Sequence, residues 1–229
     1  MILFKDISKT YKINSHEVTP LQNINLKIDN GEFVIVAGPS GAGKTSLLRL
    51  LTCEDRPSTG EIYLDTLKIN DLKNSELPFL RRKIGSIFQD FKLLPRKTVY
   101  ENVAFALEVI GKNNKEIKET VLEVLELVGL EKLIYNFPHE ISGGEMQRTA
   151  IARAIISKPD ILTADEPTGN LDPLVSWEIV NLLTKINELG TTVILSSHNK
   201  EMIDALKKRV VTLKNGKIIR DEQKGKFIF

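Results

Sequence analysis

The strongest chemical signal in the chain is the run Gly38, Pro39, Ser40, Gly41, Ala42, Gly43, Lys44, Thr45, with Ser46 after it. It fits G-x-x-x-x-G-K-[ST], a phosphate-binding loop when a strand precedes it and a helix follows. Both flanks are present. Phe33-Val34-Ile35-Val36-Ala37 is an apolar strand run, and Leu47-Leu48-Arg49-Leu50-Leu51 continues as a helix. Glycines let the backbone wrap closely and turn its N–H groups inward. The helix then points its positive end at the same spot, so a polyphosphate meets many donors at once. Lys44 is placed to reach the β- and γ-phosphates, and Thr45 to offer its hydroxyl to Mg²⁺. The expected ligand is a nucleotide. The loop alone leaves open which nucleotide, and what its energy is used for.

Two further segments carry chemistry. Ile161-Leu162-Thr163-Ala164-Asp165-Glu166 is an apolar strand that ends in two carboxylates. Lying beside the loop strand, it would bring Asp165 near Thr45, where a carboxylate helps to hold Mg²⁺. Glu166 would then face the γ-phosphate and orient an attacking water, or take its proton. An isolated Asp-Glu pair usually ends a strand in solvent; the phosphate loop is what gives this one meaning. Ile141-Ser142-Gly143-Gly144-Glu145-Met146-Gln147-Arg148 begins another helix. Ser142 is placed to cap it, and the glycines to leave its first N–H groups exposed. That makes a second anion site. One nucleotide explains both only if the second site serves another subunit.

Positioning these groups requires a sheet. Strand patterns occupy residues 2–8 and about 18–28, joined by a polar segment around Lys12 to Glu17. Asn30-Gly31 turns into the strand 33–37, and further strands are expected at 61–64, 84–88, 161–164, 192–196 and 210–213. Helices are expected at 174–188 and 200–208, and Asn215-Gly216 closes a final hairpin. Between about 90 and 158 apolar residues recur at helical spacing, in 99–110, 117–128 and 143–157. The expectation is one α/β domain with a mostly parallel sheet. Residues 1–89 and 159–229 would form the nucleotide-binding core, and about 90–158 an inserted helical subdomain. There is no internal repeat or low-complexity tract.

With 41% hydrophobic and 27% charged residues among 229, the composition is that of a globular protein large enough for a sizeable core. A net charge of +2, spread along the chain, argues against a nucleic-acid partner bound by a basic face. The single cysteine, Cys53, excludes an intrachain disulfide and suggests a reducing compartment; it is expected as a small buried apolar residue. No apolar run is long enough to span a bilayer. Charges at Lys5 and Asp6 come too early for a signal peptide. The expected location is the cytosol, or the cytosolic face of a membrane through a partner.

Ile141-Ser142-Gly143-Gly144-Glu145 resembles the L-S-G-G-Q signature of ABC ATPase nucleotide-binding subunits, with Ile for Leu and Glu for Gln. The resemblance extends over essentially the whole chain. It implies a P-loop NTPase core with a mostly parallel sheet, an antiparallel β part near the N-terminus and an inserted helical subdomain. It implies that Tyr11 stacks on adenine, and that Gln89 meets Mg²⁺ and the water and links the site to a partner. Gly169-Asn170-Leu171-Asp172 resembles the loop that pairs two subunits, and His198 the histidine that contacts the γ-phosphate. Asn199 stands where the family usually has Asp. His16 and His139 match no family position and are expected in loops, and Trp177 in helix packing.

A narrower resemblance rests on Pro78–Gly85, Phe88-Gln89-Asp90-Phe91-Lys92-Leu93-Leu94, Thr98–Leu107 and Ala164–Asp172. These resemble the FtsE family of bacterial cell-division ATPases. Lipoprotein-release and macrolide-export ATPases (LolD and MacB types) share the last stretch, but Phe-Gln-Asp-Phe favours FtsE. This implies an ATP-dependent head-to-tail homodimer. It also implies an integral membrane partner of the FtsX type, docking near Gln89 and Phe91–Pro95, through which cell-wall hydrolysis is controlled. A solute transporter's ATPase subunit would share every catalytic motif. A GTPase would need Asn-Lys-x-Asp, and Asn199-Lys200-Glu201-Met202 lacks the Asp. A DNA-repair relative would need a long heptad insertion, which does not fit between 90 and 158.

Overall fold

A computed structural model describes residues 1–13 and 16–227. β1 (Ile2–Ile13) and β2 (His16–Ile28) form a long antiparallel hairpin, and β3 (Phe33–Ala37) leads through the glycine loop into α1 (Lys44–Leu51). β4 (Thr59–Leu64) and the short β5 (Leu67–Lys68) come next, then α2 (Leu77–Lys83) and β6 (Ile84–Ile87). α3 (Val99–Val109), α4 (Asn114–Leu127) and α5 (Gly143–Ile155) fill the interval before β7 (Ile161–Asp165). α6 (Pro173–Glu188), β8 (Thr192–Ser197), α7 (Lys200–Leu206), β9 (Arg209–Lys214) and β10 (Lys217–Glu222) follow.

The larger sheet runs β10-β9-β3-β8-β7-β6, parallel from β9 to β6, with β10 antiparallel at its edge. The smaller sheet runs β2-β1-β4-β5 and is antiparallel. This is the expected α/β class. β3 shows why its sequence is continuously apolar. Phe33, Ile35 and Ala37 pack into the core shared with α3 to α6, whereas Val34 and Val36 face the core shared with α1 and the antiparallel sheet. A central parallel strand is buried on both faces. α1 buries Leu47, Leu50 and Leu51 on the second side, about 1.5–3 kcal/mol for each side chain. That burial anchors the helix whose first turn carries the phosphate loop.

Several expectations are corrected. The hairpin is longer than 2–8 and 18–28, because its polar ends still pair across the strands: Tyr11 opposite Val18, and Lys12 opposite Glu17 with an ion pair at 3.5 Å. His16 therefore begins β2 and is not in a loop. α2 adds to the expected elements; Pro78 sits in its first turn, where its missing N–H has no partner to lose. Finally, β7 does not lie beside β3. β8 runs between them, so the strand carrying Asp165 is two places from the loop strand. Local signals set the helix starts. Thr98 and Glu101 form a capping box at α3, and Asn113 caps α4, starting it before residue 117.

Candidate active site

α1 begins at Lys44. Gly43 before it is left-handed (φ 107°), and no side chain caps the first N–H groups, which stay open to an anion. Only glycine fits there: a Cβ at Gly43 would lie 2.3 Å from the Pro20 carbonyl oxygen of β2. Lys44 is 5% exposed. A buried ammonium has to be paired, and three groups do so. Its Nζ donates to the carbonyls of Gly38 (2.7 Å) and Pro39 (3.0 Å) and lies 3.1 Å from Glu166 Oε1.

Glu166 follows β7 in a left-handed conformation (φ 49°), its N–H donating to the Ser196 carbonyl (3.2 Å) and hydroxyl (3.0 Å). The Ser196 hydroxyl in turn donates to Asp165 Oδ1 at 2.6 Å. One serine on the intervening strand thus orients both acidic residues. The second carboxylate oxygen of Glu166 lies 2.5 Å from His198 Nδ1, so Glu166 bridges Lys44 and His198.

These groups open onto one cavity of about 700 Å³. Its lining includes Tyr11, Lys44, Thr45, Gln89, Glu166 and His198, with Pro39, Ser40, Gly41, Gly43 and Ser46 of the loop. Gly38 and Ala42 support the loop from behind. Ala42 packs into the core, and a Cβ on Gly38 would lie 2.5 Å from the Leu213 carbonyl oxygen. Tyr11 lines the same cavity. Its hydroxyl donates to Asp55 Oδ2 (2.6 Å), and Lys9 Nζ sits 4.7 Å from the ring centroid while pairing with Asp55 Oδ1 (2.5 Å). Burial and the Asp55 hydrogen bond push the Tyr11 phenol up. Burial works against the Asp55 carboxylate, yet hydrogen bonds from Lys9 and Tyr11 hold it below its ordinary value. With the ammonium over one face of the ring, the other face is the one a flat ligand could meet.

Although β7 is not beside β3, Asp165 and Thr45 both line a smaller cavity of about 260 Å³. Gln89 packs against the loop after Glu166, where a Cβ on Gly169 would lie 3.0 Å from Gln89 Nε2. Asn199 caps α7 by accepting from the Met202 N–H at 3.1 Å. An Asp there would make the same bond.

Ser142, Gly143, Gly144 and Glu145 lie at the start of α5 and do not line the large cavity. Ser142 caps the helix as expected. Its hydroxyl and N–H both donate to Glu145 Oε2 at 2.7 Å, and these bonds hold the Glu145 carboxyl below its ordinary range. The glycines are less open than expected. Gly144 is buried under α6, where a Cβ would lie 2.6 Å from Val175 Cγ1, and Gly143 lies against Leu171. Trp177 is not core packing: it is 38% exposed and lines a cavity beside Gly169, Leu171 and His198. Cys53 is only partly buried, just past α1. His139 lies in a 3₁₀ turn, stacked on Phe137.

Several residues of this site escape sequence reasoning: Ser196, Lys9, Asp55 and Phe227. Ser196 was within reach, since parallel pairing sets it opposite Asp165. Phe227, which lines the large cavity, had no signal at all.

The ABC transporter family model matches residues 21–169. The chain is similar to the cell division ATP-binding protein FtsE of Bacillus subtilis (strain 168), with 50% identity over 222 residues covering 97% of each chain. Its similarity to the protein of the same name from Mycobacterium tuberculosis (strain ATCC 25618 / H37Rv) is 49% over 225 residues, covering 98% of this chain and 97% of the other. Among solved structures it is similar to the ATP-binding cassette MJ0796, determined as a dimer in a post-hydrolysis state bound to ADP and Pi. There the TM-score is 0.90 at 39% identity, over 99% of this chain and 100% of that one.

Proposed function

This chain belongs to the ABC transporter family and is an ABC-type ATPase, and from that premise we propose that it is the FtsE-type subunit of a bacterial cell-division complex. It works as a head-to-tail pair, with ATP between the phosphate loop of one copy and Ser142, Gly143, Gly144 and Glu145 of the other. The observation that carries this reading is the separation of two anion sites. The cavity holding Lys44, Gln89, Glu166 and His198 does not include the start of α5, so one chain offers only half of an enclosing site.

Within that half, Gly38 to Ser46 cradle the phosphates and Lys44 reaches the β- and γ-phosphates. Tyr11 stacks on adenine. Glu166 orients the attacking water or takes its proton, and His198 contacts the γ-phosphate. Thr45, Gln89 and Asp165 supply oxygen donors only, which suits Mg²⁺. No cluster of three or more His, Cys, Asp or Glu that could cage a metal occurs among the described residues. The ion would therefore arrive with the nucleotide, held partly by phosphate oxygens. Residues 1–89 and 159–229 act as the nucleotide-binding core and about 90–158 as the helical subdomain.

No helix among the described residues is long and apolar enough to cross a membrane. The proposed membrane partner is an integral protein of the FtsX type, which places the chain at the cytoplasmic face. Its docking site is a groove of about 510 Å³ beside Gln89, with Phe88, Leu94, Phe105 and Val109 in its lining and Arg81, Arg82, Lys92 and Arg153 around it. Such a groove suits an apolar segment carrying acidic residues.

Glu166→Gln should accumulate as dimers in MgATP by light scattering, and adding Ser142→Arg should return them to monomers that still bind ATP. Monomeric, ATP-bound chains that turn over at the full rate would overturn the composite site. Purification from membranes, with identification of the transmembrane subunit, tests the partner.

A further inference from the structure

We infer that Arg153 is a positioning residue for Gln89, tying the helix that starts at Ser142 to the nucleotide cavity and to the groove beside it. The inference rests on the ATPase reading above and concerns how that same site is governed.

Just past Gln89, Phe91 (φ 58°) and Lys92 (φ 49°) are both left-handed. Two consecutive non-glycine residues there are uncommon, and surrounding structure must hold them against their own preference. Backbone bonds from Phe91 N–H to Phe88 (3.2 Å) and from Lys92 N–H to Asp90 (2.6 Å) close the turn. Arg153 holds it from outside. Its Nη2 donates to the Phe91 carbonyl at 2.9 Å and its Nη1 to the Lys92 carbonyl at 2.7 Å. Neighbouring donors of one planar fork fit two successive carbonyls; an ammonium cannot reproduce that geometry. Among the described residues no carboxylate pairs with Arg153, so these carbonyls are what it is built to hold.

Arg153 lies in the last turn of α5, about 16 Å along the axis from Ser142 at 1.5 Å per residue. Its partners follow Gln89, which lines the large cavity and packs on Gly169. Lys92 and Arg153 also line the groove. A shift of α5 when its N-terminal end meets a nucleotide would therefore move Gln89, and a ligand seated in the groove would act on the same turn from its other side. A shared, strained turn biased from both sides is a physical basis for coupling.

The test compares wild type with Arg153→Lys and Arg153→Ala, and adds Lys92→Gly to each. Mant-ATP affinity, turnover at saturating ATP and thermal melting are measured on the full chain. Arg153→Lys should keep ATP affinity within about twofold while turnover falls about 10–100-fold, as when a group near the chemistry is misplaced. Lys92→Gly should restore several-fold of that loss, because glycine takes positive φ freely. Wild-type turnover in Arg153→Lys would overturn the inference. So would loss of affinity and turnover in step with melting temperature, or absence of any rescue by Lys92→Gly. A wild-type chain without ATP turnover would instead overturn the ATPase reading, and this inference with it.

Discussion

Replacing Glu166 by Gln should do two opposite things: slow hydrolysis and tighten ATP binding. In the free chain Lys44 Nζ lies 3.1 Å from Glu166 Oε1, with the two side chains only 5% and 15% exposed. At an effective dielectric of about 20 the bare attraction is about 5 kcal/mol. Desolvation of both groups offsets most of it. Glutamine keeps a neutral acceptor for Lys44, so the difference is about 1–2 kcal/mol, in line with charged hydrogen bonds. A γ-phosphate that takes Lys44 must displace this carboxylate and then sit beside its charge. Without the charge, ATP should bind about 5–30-fold more tightly. Turnover should fall about 10²–10⁴-fold, the range for losing a general base. Mant-ATP titration with Mg²⁺ in a Ser142→Arg background reads the first effect without a contribution from dimer closure. Phosphate release in the otherwise wild-type chain reads the second. Unchanged or weaker ATP affinity would refute the displacement argument, and normal turnover would refute the role given to Glu166.

Gly144→Ala drives a Cβ to 2.6 Å from Val175 Cγ1. It should cost about 1–3 kcal/mol by overpacking and lower the melting temperature by about 2–4 °C per kcal/mol; Val175→Ala added to it should recover most of the loss in circular-dichroism melts, and failure to recover would place the strain elsewhere. Glu145 should make stability acid-sensitive. The Ser142 N–H and hydroxyl depress its folded value, so its contribution is complete above the ordinary glutamate range and disappears as pH falls through the depressed value. Urea unfolding of wild type and Glu145→Gln should therefore differ at neutral pH and converge as pH falls below that range.

How much of this was legible depended on whether the signal was local. The phosphate loop and the Ser142 cap are contiguous, and their helix and strand flanks lie within a few residues, so type and position were readable. The order of strands was not. Asp165 and Thr45 are expected to come together through adjacent strands; β8 lies between, and what they share is the lining of one cavity, with Asp165 at the end of β7. Tyr11 could be named from resemblance, but what holds it could not. Lys9 and Asp55 are 46 positions apart, and β1 has to run past residue 8 for Lys9 and Tyr11 to lie on one strand and share Asp55. The long polar end of that hairpin reads as a connection because cross-strand bonds leave no apolar pattern in it.

The structure adds something to the idea of two half-sites. In the free chain several side chains of both halves already have internal partners, while the first N–H groups of α1 stay uncapped. Lys44 is held by Glu166 and two loop carbonyls, Asp165 by Ser196, and the Ser142 hydroxyl by Glu145. On the proposed reading ATP must displace internal partners on the loop side and again on the α5 side. The two displacements fall on different copies, so a single chain meets only the first, and its hold on ATP is weakened by Glu166 without the compensating donors of a second α5. Glu145 sharpens the asymmetry. Its carboxylate is tethered to the serine that, on the same reading, would turn toward the nucleotide of the other copy. On that reading closure of the pair would be favoured when the nucleotide reaches Ser142, Gly143 and Gly144 with its γ-phosphate attached, and hydrolysis would cut the bond that joins this phosphate to the rest of the nucleotide.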